Sequence, residues 1–137
     1  MNISNTSEYA IRILSYMAKD SGSKYSAKFL VERLNISDKY LRRLMTLLAK
    51  AGFVSSTQGR DGGYYFAKKL ESIYLYDIVN AVEGMDKYMG CVLGFEKCSD
   101  ENSCVMHTSW VKVRDEFVGL MQNVSLADLN FENIYKF

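Results

Sequence analysis

Residues 36–69, ISDKYLRRLMTLLAKAGFVSSTQGRDGGYYFAKK, decide how the rest of the chain is read. Ser37 stands where a helix N-cap belongs, and Leu41, Leu44, Leu47 and Leu48 recur at the spacing of one helical face. Lys39, Tyr40, Arg42 and Arg43 fall outside that stripe. The leucines anchor the helix and leave the cations and Tyr40 free to face a groove. Gly52 occupies the expected C-terminal cap. Two β-prone runs follow, 53–57 and 64–67, joined by GRDGG. Its glycines at 59, 62 and 63 permit positive φ in a tight hairpin, with Arg60 at the tip. No helix opens after these glycines and the Walker lysine pattern is missing, which argues against a phosphate-binding loop.

Upstream, TSEYAIRILSYMAKD (6–20) reads as a helix capped by Thr6 or Ser7, with Ala10, Leu14, Met17 and Ala18 on its inner side. SAKFLVERLNI (26–36) reads as a second, capped by Ser26, with Phe29, Leu30 and Leu34 inward and a break at Asn35-Ile36. Two short helices around a tight break, the second one basic, followed at once by a hairpin, predict a winged helix-turn-helix. A basic wing tip can reach phosphate or the narrow minor groove. Charge agrees. Residues 1–70 carry twelve Lys/Arg against five Asp/Glu, a balance of +7, and residues 71–137 carry five against eleven, a balance of −6. The net +1 hides a basic front half and an acidic back half, as expected of a DNA-binding module joined to a different one.

Downstream, LYDIVNAVEG (75–84) predicts a short amphipathic helix through Leu75, Ile78, Val79 and Val82. A polar loop over 84–104 follows, and CVLGFEKCSDENSCVMH (91–107) holds all three cysteines and the only histidine. A helix resumes near Val105 with Trp110, Val113, Phe117, Leu120 and Val124 in one apolar stripe, read as a dimer seam rather than a lid on the domain's own core. Ser125-Leu-Ala-Asp opens a last short turn. The expected division is thus 1–83 for DNA binding, 84–104 for the cysteine loop and 105–137 for dimerisation, in a mainly α chain.

An odd cysteine count does not suit a secreted disulfide scaffold, and clustered thiols in a reducing compartment more often bind metal or answer oxidants. The spacing C-x6-C-x5-C-x2-H lacks the CxxC knuckle usual in structural zinc sites. Iron–sulfur clusters accept looser spacing because separate irons offer separate points of attachment. Three thiolates leave a fourth position, for which His107 and Glu8 are the candidates. A zinc clamp or a disulfide switch remains the alternative. A small iron–sulfur electron carrier leaves the wing and the basic half without purpose. No Ser-His-Asp set, acid pair or nucleotide loop suggests an enzyme. With no run of about 18 apolar residues and no signal-peptide pattern, the chain is expected in the cytoplasm and off the membrane.

SEYAIRIL, ISDKYLRRLMTLLAKAGFVSS, GRDGGYYFAKK, the three cysteines with VMHTSW, and NVSLADL together resemble the IscR/NsrR type of bacterial winged-helix regulators over nearly the whole chain. The resemblance implies a homodimeric transcription factor, repressor or activator, whose DNA binding follows the state of an iron–sulfur cluster sensing redox, nitric oxide or cluster supply. Cys91, Cys98 and Cys104 match the cluster cysteines. His107 matches the histidine completing an IscR-like 2Fe–2S site, and Glu8 the acid completing an NsrR-like one. A 2Fe–2S cluster is favoured and 4Fe–4S stays open, since the first cysteine gap is one residue longer than is common. For double-stranded DNA, the resemblance nominates Ser37, Lys39, Tyr40, Arg42 and Arg43 on the groove helix and Arg60 on the wing, while Lys28, Lys39 and Lys50 suit phosphates. Arg42 or Arg43 is expected to carry base choice.

Overall fold

The structure, a computed structural model, describes residues 3–129. The end of the expected 105–137 unit lies outside the described residues. Helix α1 (Asn5–Ala18) is capped by Ser4, whose hydroxyl accepts from Ser7 N–H, upstream of the expected Thr6 or Ser7. The helix therefore begins upstream, and Ser7 is buried inside it. Helix α2 (Ala27–Leu34) is capped by Ser26 as expected. It ends at Asn35, which takes the left-handed conformation (φ 52°) that asparagine tolerates. Helix α3 (Asp38–Lys50) starts on the Ser37 cap. This reversal between α2 and α3 is the turn of the helix-turn-helix.

Ala10, Ile13, Leu14, Met17, Leu30, Leu41, Leu44, Met45 and Leu48 form one core that is closed to water. Each large aliphatic side chain there contributes about 1.5–3 kcal/mol by leaving water. Two expectations fail in detail. Met45 rather than Leu47 completes the buried stripe of α3. Phe29 is 44% exposed and stacks beside Tyr16 and Tyr25 instead of entering the core. Ala18 and Leu34 are only half-buried. Periodicity gives a face but not its centre, and helix crossing decides which edge residue is covered.

The wing is an antiparallel pair, β1 (Val54–Thr57) and β2 (Gly63–Phe66), with Thr57 opposite Gly63 and Val54 opposite Phe66. The turn end of β2 is fixed to the linker before α2. Tyr25 and Tyr64 exchange two backbone hydrogen bonds of 2.8 Å. This close approach explains Gly63. A Cβ there would lie 2.8 Å from the Tyr25 carbonyl oxygen, and its φ of 149° already disfavours a side chain.

Beyond a 3-10 turn at Leu70–Ser72, α4 (Leu75–Val82) buries Ile78 and Val79. Residues 84–104 are not all loop, because a four-residue helix, α5 (Asp86–Met89), lies inside them. The long helix α6 spans His107–Asn123, starting two residues later than expected and leaving Val105 96% exposed. Its core-facing residues are Val118 and Met121, which pack with Val79 and Met85. The chain then returns to the winged helix, where Leu126 is buried and the Ser125–Asp128 turn is closed by Asp128 accepting from the Ser125 N–H and hydroxyl.

Glu83, at the end of α4, joins α1 to α5. Its side chain is only 8% exposed, pairs with Lys87 at 3.2 Å and accepts from the Tyr88 hydroxyl. Burial alone would raise its carboxyl, but Tyr88, Lys87 and the nearby Ser7 outweigh this and hold it below the usual range. Burial and Glu83 push the Tyr88 phenol up to about 12.

Gly63→Ala is expected to destabilise the chain by about 1–3 kcal/mol in urea unfolding, the usual cost of a strained backbone position. Glu83→Gln should also lower stability near neutral pH. The Glu83 charge stabilises fully above the ordinary glutamate value of about 4.3 and ceases to do so as pH falls through its lower folded value. The gap between wild type and variant should therefore narrow in acid.

Candidate functional site

Two surfaces carry the candidate residues. The first is the outer side of α3 with the wing. Lys39, Arg42 and Arg43 are exposed there, Lys28 is exposed on α2, and Arg60 is exposed at the hairpin tip. Ser37 and Tyr40 also have structural duties. The Ser37 hydroxyl accepts from Tyr40 N–H, and the half-buried Tyr40 ring meets Tyr9 edge-on at 5.6 Å while its hydroxyl donates to Thr6 Oγ1. The expectation that Tyr40 is free to face a groove is corrected accordingly. Arg42 is held by Asp38, one turn back on the same helix.

The second surface is the cysteine loop. Both its flanks are tied to α6: Trp110 Nε1 donates to the Gly90 carbonyl at 2.8 Å, and Arg114 donates to the Met89 carbonyl at 3.1 Å. These satisfy carbonyls that the short helix α5 leaves open at its end. At the other flank, the His107 N–H donates to the Cys104 carbonyl. His107 is 8% exposed, with Nδ1 3.1 Å from Cys98 Sγ and Nε2 2.9 Å from Asp100 Oδ1. A buried imidazole thus stands between a thiol and a carboxylate.

All three cysteines are partly exposed and unpaired. Cys98 and Cys104 line an open cleft of about 370 Å³, and Cys98 also borders a smaller cavity with Cys91, His107, Trp110 and Arg114. The Cys91 thiol is drawn below its ordinary value by the Phe95 N–H, with further help from Leu93, Cys98 and Gly94. Leu93 N lies 3.4 Å from Cys91 Sγ. The residues after Cys91 therefore curl their amides around its sulfur, as backbone nests do around anions. Cys98 moves the other way, raised by burial and by Cys91 and Cys104, with Arg114 opposing.

The structure brings Cys98 and His107 into contact and sets Cys91 and Cys104 within electrostatic reach of Cys98. Glu8 is not part of this group; it is exposed on the first turn of α1. Among the described residues, no three His, Cys, Asp or Glu side chains gather as a ready-made site for a single metal ion. Sequence reasoning missed Asp100, Trp110 as a loop staple, and Arg114. Their partners lie 7, 20 and 25 residues away, and no local pattern signals such pairings.

A basic recognition helix beside a hairpin wing defines a winged-helix DNA-binding regulator. Residues 3–132 match the family model Rrf2, described as an iron-dependent transcriptional regulator. The chain belongs to the Rrf2 family of transcriptional regulators. It is 33% identical over 130 residues to protein rrf2 of Nitratidesulfovibrio vulgaris, covering 94% of this chain and 87% of that one. The fold matches CymR (YrzC), the global cysteine regulator of B. subtilis, with a TM-score of 0.77 and 26% identity over 93% of this chain and 95% of CymR. It also matches IscR of T. potens, with a TM-score of 0.74 and 27% identity over 93% and 85%. No helix among the described residues is long and apolar enough to cross a membrane.

In the reduced, metal-free chain, Cys91 should alkylate with iodoacetamide at lower pH than Cys98, because only the thiolate attacks. Peptide mass mapping across pH 6–10 (roughly the span of ordinary and perturbed thiols) checks the order.

Proposed function

We propose that this Rrf2-family regulator acts as a cytoplasmic homodimer whose DNA binding follows the state of an iron–sulfur cluster held by Cys91, Cys98, Cys104 and His107. The observation that carries this is the meeting of the buried His107 ring with Cys98, on a loop whose other two thiols lie close by. The donor set suits a cluster. Three partly exposed thiols and one imidazole border two hollows that share Cys98, and several irons can be reached separately where a single ion could not. The family description as iron-dependent and the likeness to IscR support the same reading. Glu8, outside this group in one chain, would enter only across a dimer. The set with His107 matches the IscR-like 2Fe–2S site, which is favoured here, and 4Fe–4S stays open.

Such a centre supplies reactivity toward oxidants and nitric oxide. The chain supplies the rest. Asp100 orients the His107 ring, the nest after Cys91 favours its thiolate, and Trp110 and Arg114 fix the loop to α6. Val113 and Leu120, 53% and 66% exposed on α6 beside the half-buried Trp110 and Phe117, support a partner helix on that face. In that arrangement 1–83 binds DNA, 84–104 binds the cluster and 105–137 dimerises. Loop order then sets the spacing of two α3 helices, which read successive major grooves.

A second reading, a switch in which Cys91 and Cys98 form a disulfide, is favoured by the two unpaired thiols bordering one cavity and by the likeness to CymR of Staphylococcus aureus, solved in an oxidized form.

Anaerobically purified protein should be brown, with iron and acid-labile sulfide. Cys98→Ala should bleach it, and His107→Ala should destabilise the chromophore more than Glu8→Ala. Affinity for its own promoter should change about 5- to 150-fold on stripping the cluster, the usual range of allosteric coupling. Colourless protein free of iron and sulfide after anaerobic reconstitution would overturn this reading. Diamide-dependent loss of DNA binding in that same protein would establish the thiol switch.

A further inference from the structure

Arg42 and Arg43 are neighbours on α3, yet only one of them is held. Arg42 Nε lies 3.1 and 2.9 Å from the two oxygens of Asp38, its donor anchored on one carboxylate. Among the described residues Arg43 has no side-chain partner. Nε is the inner nitrogen of the guanidinium, so anchoring it leaves both terminal nitrogens available and fixes the plane in which they lie. Two donors in one fixed plane are what guanine O6 and N7 accept. A side chain already immobilised also loses less freedom on binding than a mobile one.

The location fits. Arg42 is exposed on α3, and the Tyr64 phenol of β2 acts weakly on its guanidinium. Thr46, one turn on and also exposed, donates its hydroxyl to the Arg42 carbonyl at 2.8 Å. The pair is open to solvent, 59% exposed on each side, so it contributes little to folding. Asp38 also repels phosphate, which makes an acid at this spot unhelpful for simple electrostatic grip.

We propose that Asp38 is a positioning residue for DNA readout, presenting the terminal nitrogens of Arg42 to a guanine in the major groove, so that Arg42 rather than Arg43 reads the base. This rests on α3 being the groove helix and names how that helix chooses its sequence.

The full-length chain, purified anaerobically, is used to select from a randomised duplex library, and the affinities of enriched and substituted duplexes are then measured. Wild type should enrich a guanine at one position in each half-site, and replacing it should weaken binding about tenfold. Arg42→Ala should lose that preference. Arg43→Ala should keep it while weakening all duplexes alike. Asp38→Ala should cut the preference severalfold and yet tighten binding to a scrambled duplex, because an acid has left the phosphate-facing surface. Asp38→Glu, still able to reach Arg42 across one turn, should restore the preference. A merely structural Asp38 would weaken every duplex and leave the base profile intact. An unchanged guanine preference in Asp38→Ala, or a preference that follows Arg43, overturns the proposal. A wild-type chain that enriches no sequence overturns selective recognition by α3 itself, and this proposal with it.

Discussion

Two backbone hydrogen bonds hold the long helix to the winged helix: Leu75 N–H to the Val124 carbonyl at 2.9 Å, and Leu126 N–H to the Ile73 carbonyl at 2.8 Å. Ile73 and Leu126 are both buried, so these bonds are shielded from water. The far end of α6 is tied as well, through Trp110 and Arg114 to the carbonyls that close α5. The cysteine loop hangs between these fixed points. A polar segment of this length cannot recover its ordering entropy by burial. Pinned flanks reduce the conformations it can lose, and His107 gathers what remains of it.

The charge segregation read along the chain becomes a spatial one. The basic half builds the α3 and wing surface, where Arg43, Lys39 and Arg60 stand exposed. The acidic half carries the thiols and the helix that supports them. The first turn of α1 touches both regions. Ser7 faces Glu83 at the junction with α5, while Thr6 accepts from Tyr40 of the recognition helix. Ser7 Oγ and Glu83 Oε2 are nonetheless buried without a hydrogen bond of their own, so this junction is less fully satisfied than an apolar core.

The arginines of α3 illustrate how equal residues become unequal. In sequence, Arg42 and Arg43 are interchangeable cations. On the helix, only position 42 lies one turn from Asp38, and only its guanidinium is oriented. A surface pair of this kind adds little to stability, yet it determines which way a side chain points.

The winged helix was legible because its signals are local. Serine caps, leucines at helical spacing and glycines at 59 and 62 report backbone states within a few residues of themselves. The cysteine spacing likewise marked a segment that is mostly loop. What sequence could not rank was anything settled by packing between distant segments: Met45 over Leu47, the exposure of Phe29, the helical turn at Asp86–Met89. Which of His107 and Glu8 lies near the thiols belongs to this group. His107 and Glu8 both had the right chemistry, and only the course of α6 carries the imidazole to Cys98 while α1 leaves Glu8 facing solvent. Local stereochemistry is written residue by residue, whereas proximity across the fold depends on how whole helices cross. That is why the sequence by itself determined the elements and the donor types, and only the tertiary structure decided which donors meet.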